Sequence, residues 1–180
     1  NDSDPTELTI AGSNLYFRAV DGASAVDDAE LWVSESPFTD AVKLTTFAGD
    51  SQIDNLHTTD SEILFTASED NASTNGIYKT DGTVDGTVRL RGGIPNGDEP
   101  DFNNLYANLG DYIFFVMDWT QGNYELGKEL WVTDKELNGT HIVSDLFLGG
   151  SDGVLDHDDF AQLGSSLIFV GTNGTNGAEL

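Results

Sequence analysis

The chain has 180 residues, no cysteine, and 32 acidic side chains against 7 lysines and arginines, for a formal net charge of −25. That balance repels phosphate backbones and anionic headgroups, which excludes nucleic-acid binding and membrane-surface attachment, and the missing thiols exclude a disulfide scaffold and thiolate metal sites. Hydrophobic residues at 38% and aromatics at 10% mark a folded chain, and no apolar run has the length of a membrane span.

In chain order, short runs rich in aromatic and β-branched residues predict strands over 8–11, 15–20, 30–34 and 41–47, the first two joined by a turn at Gly12-Ser13-Asn14. A second set falls at 53–58, 62–68, 76–80 and 87–91, with Asp81-Gly82 and Asp85-Gly86 supplying turn chemistry between its last two members. A third follows at 102–108, 112–117, 128–133 and 141–146, with the longest internal loop at 118–127. The fourth begins at 160–163 and 167–170 and breaks off at Leu180, two residues into its third strand.

Two markers keep step through these sets. One is Glu129-Leu130-Trp131-Val132-Thr133-Asp134, with weaker copies at Glu30-Leu31-Trp32-Val33-Ser34, Gly76-Ile77-Tyr78-Lys79-Thr80-Asp81-Gly82-Thr83 and Ala178-Glu179-Leu180; the spacings from Leu31 to Ile77 to Leu130 to Leu180 are 46, 53 and 50. The other is Leu15-Tyr16-Phe17, Ile63-Leu64-Phe65, Ile113-Phe114-Phe115 and Leu167-Ile168-Phe169. A period near 50 residues means that each repeat is one supersecondary unit, buried largely against its neighbours. Strands such as 112–117 are apolar on both alternations, so both sheet faces are expected to be covered. The reading is an all-β fold of β-propeller-type blades, each of four antiparallel strands, in about three and a half repeats. The blades are expected at about 6–48, 52–92, 101–148 and 158–180, the last incomplete.

These residues resemble the tandem ELWxxDGT repeats of large secreted or surface-associated bacterial proteins, whose repeats look like propeller blades. Glu129 to Asp134 matches best, although Lys135 stands where the pattern has glycine; the second copy keeps Thr80-Asp81-Gly82-Thr83 but has Tyr78 for the tryptophan. The downstream Gly-Thr recurs as Gly86-Thr87 and Gly139-Thr140 and is lost in the first copy, where 34–40 contains Pro37. The resemblance implies a fold and an extracellular or cell-surface location, and the motif itself encodes no activity.

Trp32, Tyr78 and Trp131 share one repeat position and are expected to be packing residues, whereas Trp119 and Tyr124 fall in the 118–127 loop as candidate sugar-stacking aromatics or as covers for their own blade. Loops on one expected propeller rim hold 16 of the 32 acids, among them Asp21, Asp54, Asp118 and Glu125, with the cations on later strands or the opposite side. Clustered carboxylates suit Ca²⁺, and the candidate ligands are Asp98, Glu99, Asp101, Asp152, Asp156, Asp158 and Asp159; a solvated acidic rim is the alternative. Glycosylation sequons fall at Asn71, Asn138 and Asn173. His57, His141 and His157 occupy unrelated repeat positions, and no hydrolase, phosphate-loop or zinc-protease motif is present.

The expected function is therefore that of a non-enzymatic extracellular structural or interaction module, with neighbouring repeats or copies of itself as partners. Two alternatives remain: a carbohydrate-binding propeller with an acidic, calcium-dependent face and glycan partners, and a propeller hydrolase or lyase. Because 1–5 read as the tail of an interblade connection and Leu180 falls mid-strand, the expectation is either a slice of a longer repeat protein or a filament subunit completed by a neighbour's strand.

Overall fold

Residues that favour a pleated backbone, broken by glycine, aspartate and asparagine, build strands throughout, and among the described residues there is no helix to cross a membrane. The computed structural model describes residues 3–21, 29–47, 49, 51–68, 74–95, 100–121, 124–155 and 160–179, with the backbone alone at 74, 95, 100–106, 120, 121 and 124. Three four-stranded antiparallel sheets follow one another as blades, each in simple chain order. The first is β1 (Thr6–Ala11), β2 (Asn14–Val20), β3 (Ala29–Glu35) and β4 (Val42–Lys43). The second is β5 (Gln52–Thr59), β6 (Glu62–Ser68), β7 (Thr74–Thr80) and β8 (Val88–Pro95). The third is β9 (Pro100–Leu109), β10 (Tyr112–Gln121), β11 (Tyr124–Thr133) and β12 (His141–Ser144).

The fourth repeat differs from expectation. It is two separate ladders, β13 (Ala161–Leu163) with β14 (Ser166–Ile168), and β15 (Gly171–Thr172) with β16 (Ala178–Glu179). Every repeat nonetheless opens with the same hairpin, a two-residue turn whose first member has positive φ: Gly12, Asp60, Gly110 and Gly164. Asp60 takes that place at φ 52° because a short polar side chain tolerates the left-handed region better than most.

The chain gathers into two compact units, Asn1–Gly93 and Ile94–Leu180. In the first, one face of the first sheet, with Tyr16, Leu31 and Val33, packs on Leu56, Ile63, Phe65 and Tyr78 of the second. Register explains why the two sequence markers travel together: Phe17 lies opposite Trp32, Phe65 opposite Tyr78, and Phe115 opposite Trp131. Each pair places two large aromatic side chains on one sheet face, and in the second sheet the rings stack with centroids 5.3 Å apart. Phe47, beyond β4, adds an edge contact to Tyr78 at 5.4 Å. In the first repeat, where the Gly-Thr pattern is lost, the connection contains a cis Ser36-Pro37 bond, with the Phe38 N–H donating to the Glu35 carbonyl at 2.6 Å.

In the second unit, β10 and β11 continue past the expected loop, pairing as far as Gln121 with Tyr124. Asp118, Trp119 and Glu125 are thus strand residues, and Asp118 faces Lys128 across the ladder. Trp119 is 7% exposed and its ring centroid lies 5.3 Å from that of Trp131. This corrects the reading of Trp119 as a loop aromatic. Met117 and Trp119 continue the buried alternation of β10, while the polar Asp118 between them occupies the other face. Tyr124 opens β11, with its side chain outside the described residues.

Trp119→Ala and Trp131→Ala are each expected to cost about 3–5 kcal/mol, since either leaves a cavity where two indoles meet. Denaturant unfolding of the two variants tests this; a Trp119 variant with a wild-type midpoint would return that residue to the surface.

Candidate functional site

The glutamate that opens the repeated motif is buried wherever it is followed by Leu-Trp. Glu30 sits on β3, where its carboxylate accepts hydrogen bonds from the Thr45 hydroxyl and, at 2.9 Å, from the Phe47 N–H. The Thr45 oxygen in turn accepts the Leu31 N–H at 2.9 Å. Glu129, 0% exposed on β11, accepts the N–H groups of Leu146 at 3.1 Å and Phe147 at 3.4 Å. Gly153 closes over that carboxylate so tightly that a Cβ there would collide with it. Burial outweighs these N–H bonds and pushes the Glu129 carboxyl up to about 6, with nearby Asp145 adding to the rise. A carboxyl enclosed in this way, with its oxygens spent on backbone donors, ties the segment after the last strand to the strand that carries the motif.

The second recurring element is a turn in which threonine and an Asx residue satisfy local backbone N–H groups. Thr80 Oγ1 accepts the Gly82 N–H, Asp81 Oδ1 accepts the Thr83 N–H at 2.9 Å, and the Thr80 and Thr87 hydroxyls meet at 2.7 Å. The Thr83 hydroxyl and N–H hold the Asp81 carboxyl below its ordinary value. In the third repeat Thr133 Oγ1 accepts the Lys135 N–H, Asp134 Oδ1 accepts the Glu136 N–H, and the Thr140 hydroxyl donates to Thr133 Oγ1 at 2.9 Å. Lys135 has φ 63° where Gly82 has φ 92°, so the lysine that departs from the motif adopts the conformation that glycine adopts in the second repeat. A further copy, invisible as a repeat marker, is Thr172-Asn173-Gly174-Thr175, where Thr172 Oγ1 accepts the Gly174 N–H and Asn173 Oδ1 accepts those of Thr175 and Asn176. Its signal in the sequence was the pattern Thr-Asx-Gly-Thr, with asparagine for aspartate.

That last turn borders a cavity of about 360 Å³ in the fourth repeat. Leu146, Leu167 and Phe169 supply apolar wall, and Asn173, Asn176 and Glu179 supply polar groups. Glu179 is the fourth repeat's counterpart of Glu30 and Glu129, yet it is exposed and faces this cavity. Sequence reasoning passed over the cavity because its walls come from separate segments.

Two acids of the expected rim have cationic partners. Asp21 pairs with Lys43 at 3.0 Å, and Asp54 lies within β5 and pairs with Arg18 at 3.3 Å, so cations reach the acids that were assigned to a face without them. Of the calcium candidates, Asp152 accepts the Lys128 N–H at 3.0 Å through Oδ1. Asp101 falls in β9 instead of in a loop, with its side chain outside the described residues, and Asp98, Glu99, Asp156, Asp158 and Asp159 lie outside them altogether. Among the described residues no three His, Asp or Glu side chains gather as a metal ion would require. Asn138 and Asn173 are exposed, the former at φ 66°, and Asn71 lies outside the described residues. His57 is on β5, His141 on β12, and His157 is not described.

No protein-family model and no curated protein sequence matches the chain. Among solved structures it is similar to an oligogalacturonate lyase in complex with manganese, at 15% identity and a TM-score of 0.47, covering 78% of this chain and 35% of that one. It is also similar to an exo-β-1,3-galactanase from Phanerochaete chrysosporium with β-1,3-galactotriose, at 10% identity and a TM-score of 0.41, covering 89% and 39%. The chain thus spans well under half the length of these two enzymes.

Lys135→Gly is expected to stabilise the protein by about 0.5–1 kcal/mol, the relief of left-handed strain exceeding the added freedom of the unfolded chain. Gly82→Ala is expected to cost about 1–3 kcal/mol, because its φ is strained for alanine and the new Cβ would meet the Tyr16 hydroxyl at 2.8 Å. Thermal or urea unfolding checks both signs. Because the Glu129 carboxyl is raised from 4.5 to about 6, the folded state holds its proton more tightly than the unfolded chain does. Its contribution is fully present below the lower value and is lost as pH rises through the upper one. Wild type should therefore gain on Glu129→Gln as the pH falls from neutral toward 4.5, read as the difference in urea midpoints. A pH-independent difference would mean that Glu129 does not titrate in this window.

Proposed function

We propose that the chain is a non-enzymatic structural and interaction module of the ELWxxDGT type, working outside the cell or at its surface. One observation carries the reading: the polar groups the motif repeats are spent on the fold. Glu30 and Glu129 hold the segments that follow β4 and β12, and Asp81, Asp134 and their threonines hold turns. A motif selected for chemistry would direct such groups toward a cleft, as Glu179 of the fourth copy is directed and Glu30 and Glu129 are not. Here repetition preserves the geometry with which one blade is joined to the next, and acidity keeps the assembly soluble.

A second reading, carbohydrate binding, is favoured by the cavity beside Phe169. An aromatic and leucine wall facing Asn173, Asn176 and Glu179 has the mixture of apolar surface and hydrogen-bonding groups that a neutral sugar uses. The two readings separate in one experiment. The protein is incubated with galactan, oligogalacturonate and a glycan array, with and without calcium, and both product release and retention are measured. Neither product nor retention is expected. Release of reducing or unsaturated ends would overturn the non-enzymatic reading, whereas retention abolished by Asn176→Ala would move the conclusion to sugar binding. Calcium titrated calorimetrically into chelator-treated protein, giving no saturable heat at about millimolar concentrations, would reduce the acidity to a solubility device.

A further inference from the structure

Glu30 and Glu129 make the same tie with different chemistry. Each accepts the backbone N–H that lies 17 positions further on, from Phe47 in the first repeat and Leu146 in the third. At Glu30 a hydroxyl completes the arrangement: Thr45 Oγ1 donates to the carboxylate and accepts the Leu31 N–H. Ser144 stands at the repeat position of Thr45, but it is exposed on β12 in register with Leu130, and among the described residues no hydroxyl donates to Glu129. The third repeat brings an acid instead. Asp145 stands where Thr46 does, directly before Leu146, and its Oδ1 is buried with no hydrogen-bond partner among the described residues.

A buried acceptor without a donor is destabilising, and the neighbouring group that becomes a donor on protonation is the Glu129 carboxyl. Glu129 is 0% exposed beneath Gly153, so water does not solvate its charge. The other charged groups around it offer no relief. Asp152, on the same connection, accepts the Lys128 N–H and is a further acid, and Glu125 of β11 lies against Gly150. Lys128 alternates onto the other sheet face, across the ladder from Asp118, while β10 sets Met117 opposite Glu129. β12 brings only His141, which pairs with Val132.

We propose that Glu129 and Asp145 form a proton-operated latch. With one proton between them, the Glu129 carboxyl donates to Asp145 Oδ1 and residues 145–147 are held on β11; when that proton leaves, two carboxylates face each other and the connection loosens. The rise of the Glu129 carboxyl from 4.5 to about 6 has the matching sign, burial contributing most and the Asp145 charge adding to it. The held state binds the proton more tightly than the released one, so the latch is closed below the lower value and opens as pH rises through the upper. Glu30, with a hydroxyl where Glu129 has an acid, makes a tie that needs no proton.

Hydrogen exchange of individual amides in the whole chain, followed by NMR at pH 4.5 and about pH 7.5 and corrected for intrinsic rates, tests the proposal. Protection of the Leu146 and Phe147 amides is expected to fall by up to about 30-fold at the higher pH, the ratio set by the change from 4.5 to about 6, while the amides of the β10–β11 ladder and of Phe47 keep theirs. Asp145→Asn removes the charge and supplies an amide donor to ionised Glu129, as the Thr45 hydroxyl does for Glu30. That variant should hold Leu146 and Phe147 equally well at both pH values, with circular dichroism as the check on its fold. Equal protection in wild type at the two pH values would overturn the latch, as would an unchanged pH response in Asp145→Asn. A loss shared in full by the ladder amides would overturn it too, because the response would then belong to global unfolding. None of these outcomes bears on the non-enzymatic reading, which falls only to product release.

Discussion

A sheet that is apolar on both sides cannot be stable alone. Each four-stranded blade here hides one face against a neighbour and needs another neighbour for its second, and this shared debt of apolar surface sets the repeat length, the aromatic positions and the choice of turns. The two faces of a sheet carry different residues because they meet different neighbours. Tyr16 and Leu31 face one way from the first sheet; Phe17 and Trp32, adjacent to them in sequence, face the other. Strand alternation alone thus converts Leu-Tyr-Phe and Glu-Leu-Trp into a two-sided adhesive.

Stacked sheets need their connections fixed as well, because a connection that wanders lets one face slide over the next. The structure does this with carboxylates buried at a cost. Glu129 is desolvated enough for its carboxyl to rise to about 6, and the backbone donors of Leu146 and Phe147 offset part of that penalty. Glu30 does the same through Phe47 and Thr45, with Phe47 then reaching Tyr78 of the second sheet. The polar tie and the apolar joint are made by consecutive residues of one short segment, so disturbing either loosens both.

The period, the strand sets of the first three repeats and, although Trp32 at the same repeat position is only half-buried, the burial of Tyr78 and Trp131 were legible in the sequence because each is a local pattern that recurs. Trp119 was not, because Asp118, Thr120 and Gln121 look like loop until their register opposite β11 is known, and register is a long-range property. The pairing of Lys43 with Asp21 was hidden for a related reason: strand position locates a lysine's backbone, whereas the Lys43 ammonium ends at Asp21, 22 residues away in sequence. The turn at Thr172 and the cavity beside Phe169 lay outside the repeat markers on which the sequence reading was built. Only contacts reveal them.

The second repeat shows what the glutamate contributes, because it has none. Gly76 occupies that position, and a Cβ there would meet the Tyr78 ring at 2.8 Å and Arg89 and the Arg91 carbonyl at 3.1 Å, so β8 fills the space that Glu30 and Glu129 occupy elsewhere. The chain leaving the second sheet therefore lacks the carboxylate that ties down the segments after the first and third. The motif's first residue thus ties the outgoing segment to the strand that carries the motif, a role distinct from the apolar matching that its leucine and tryptophan perform.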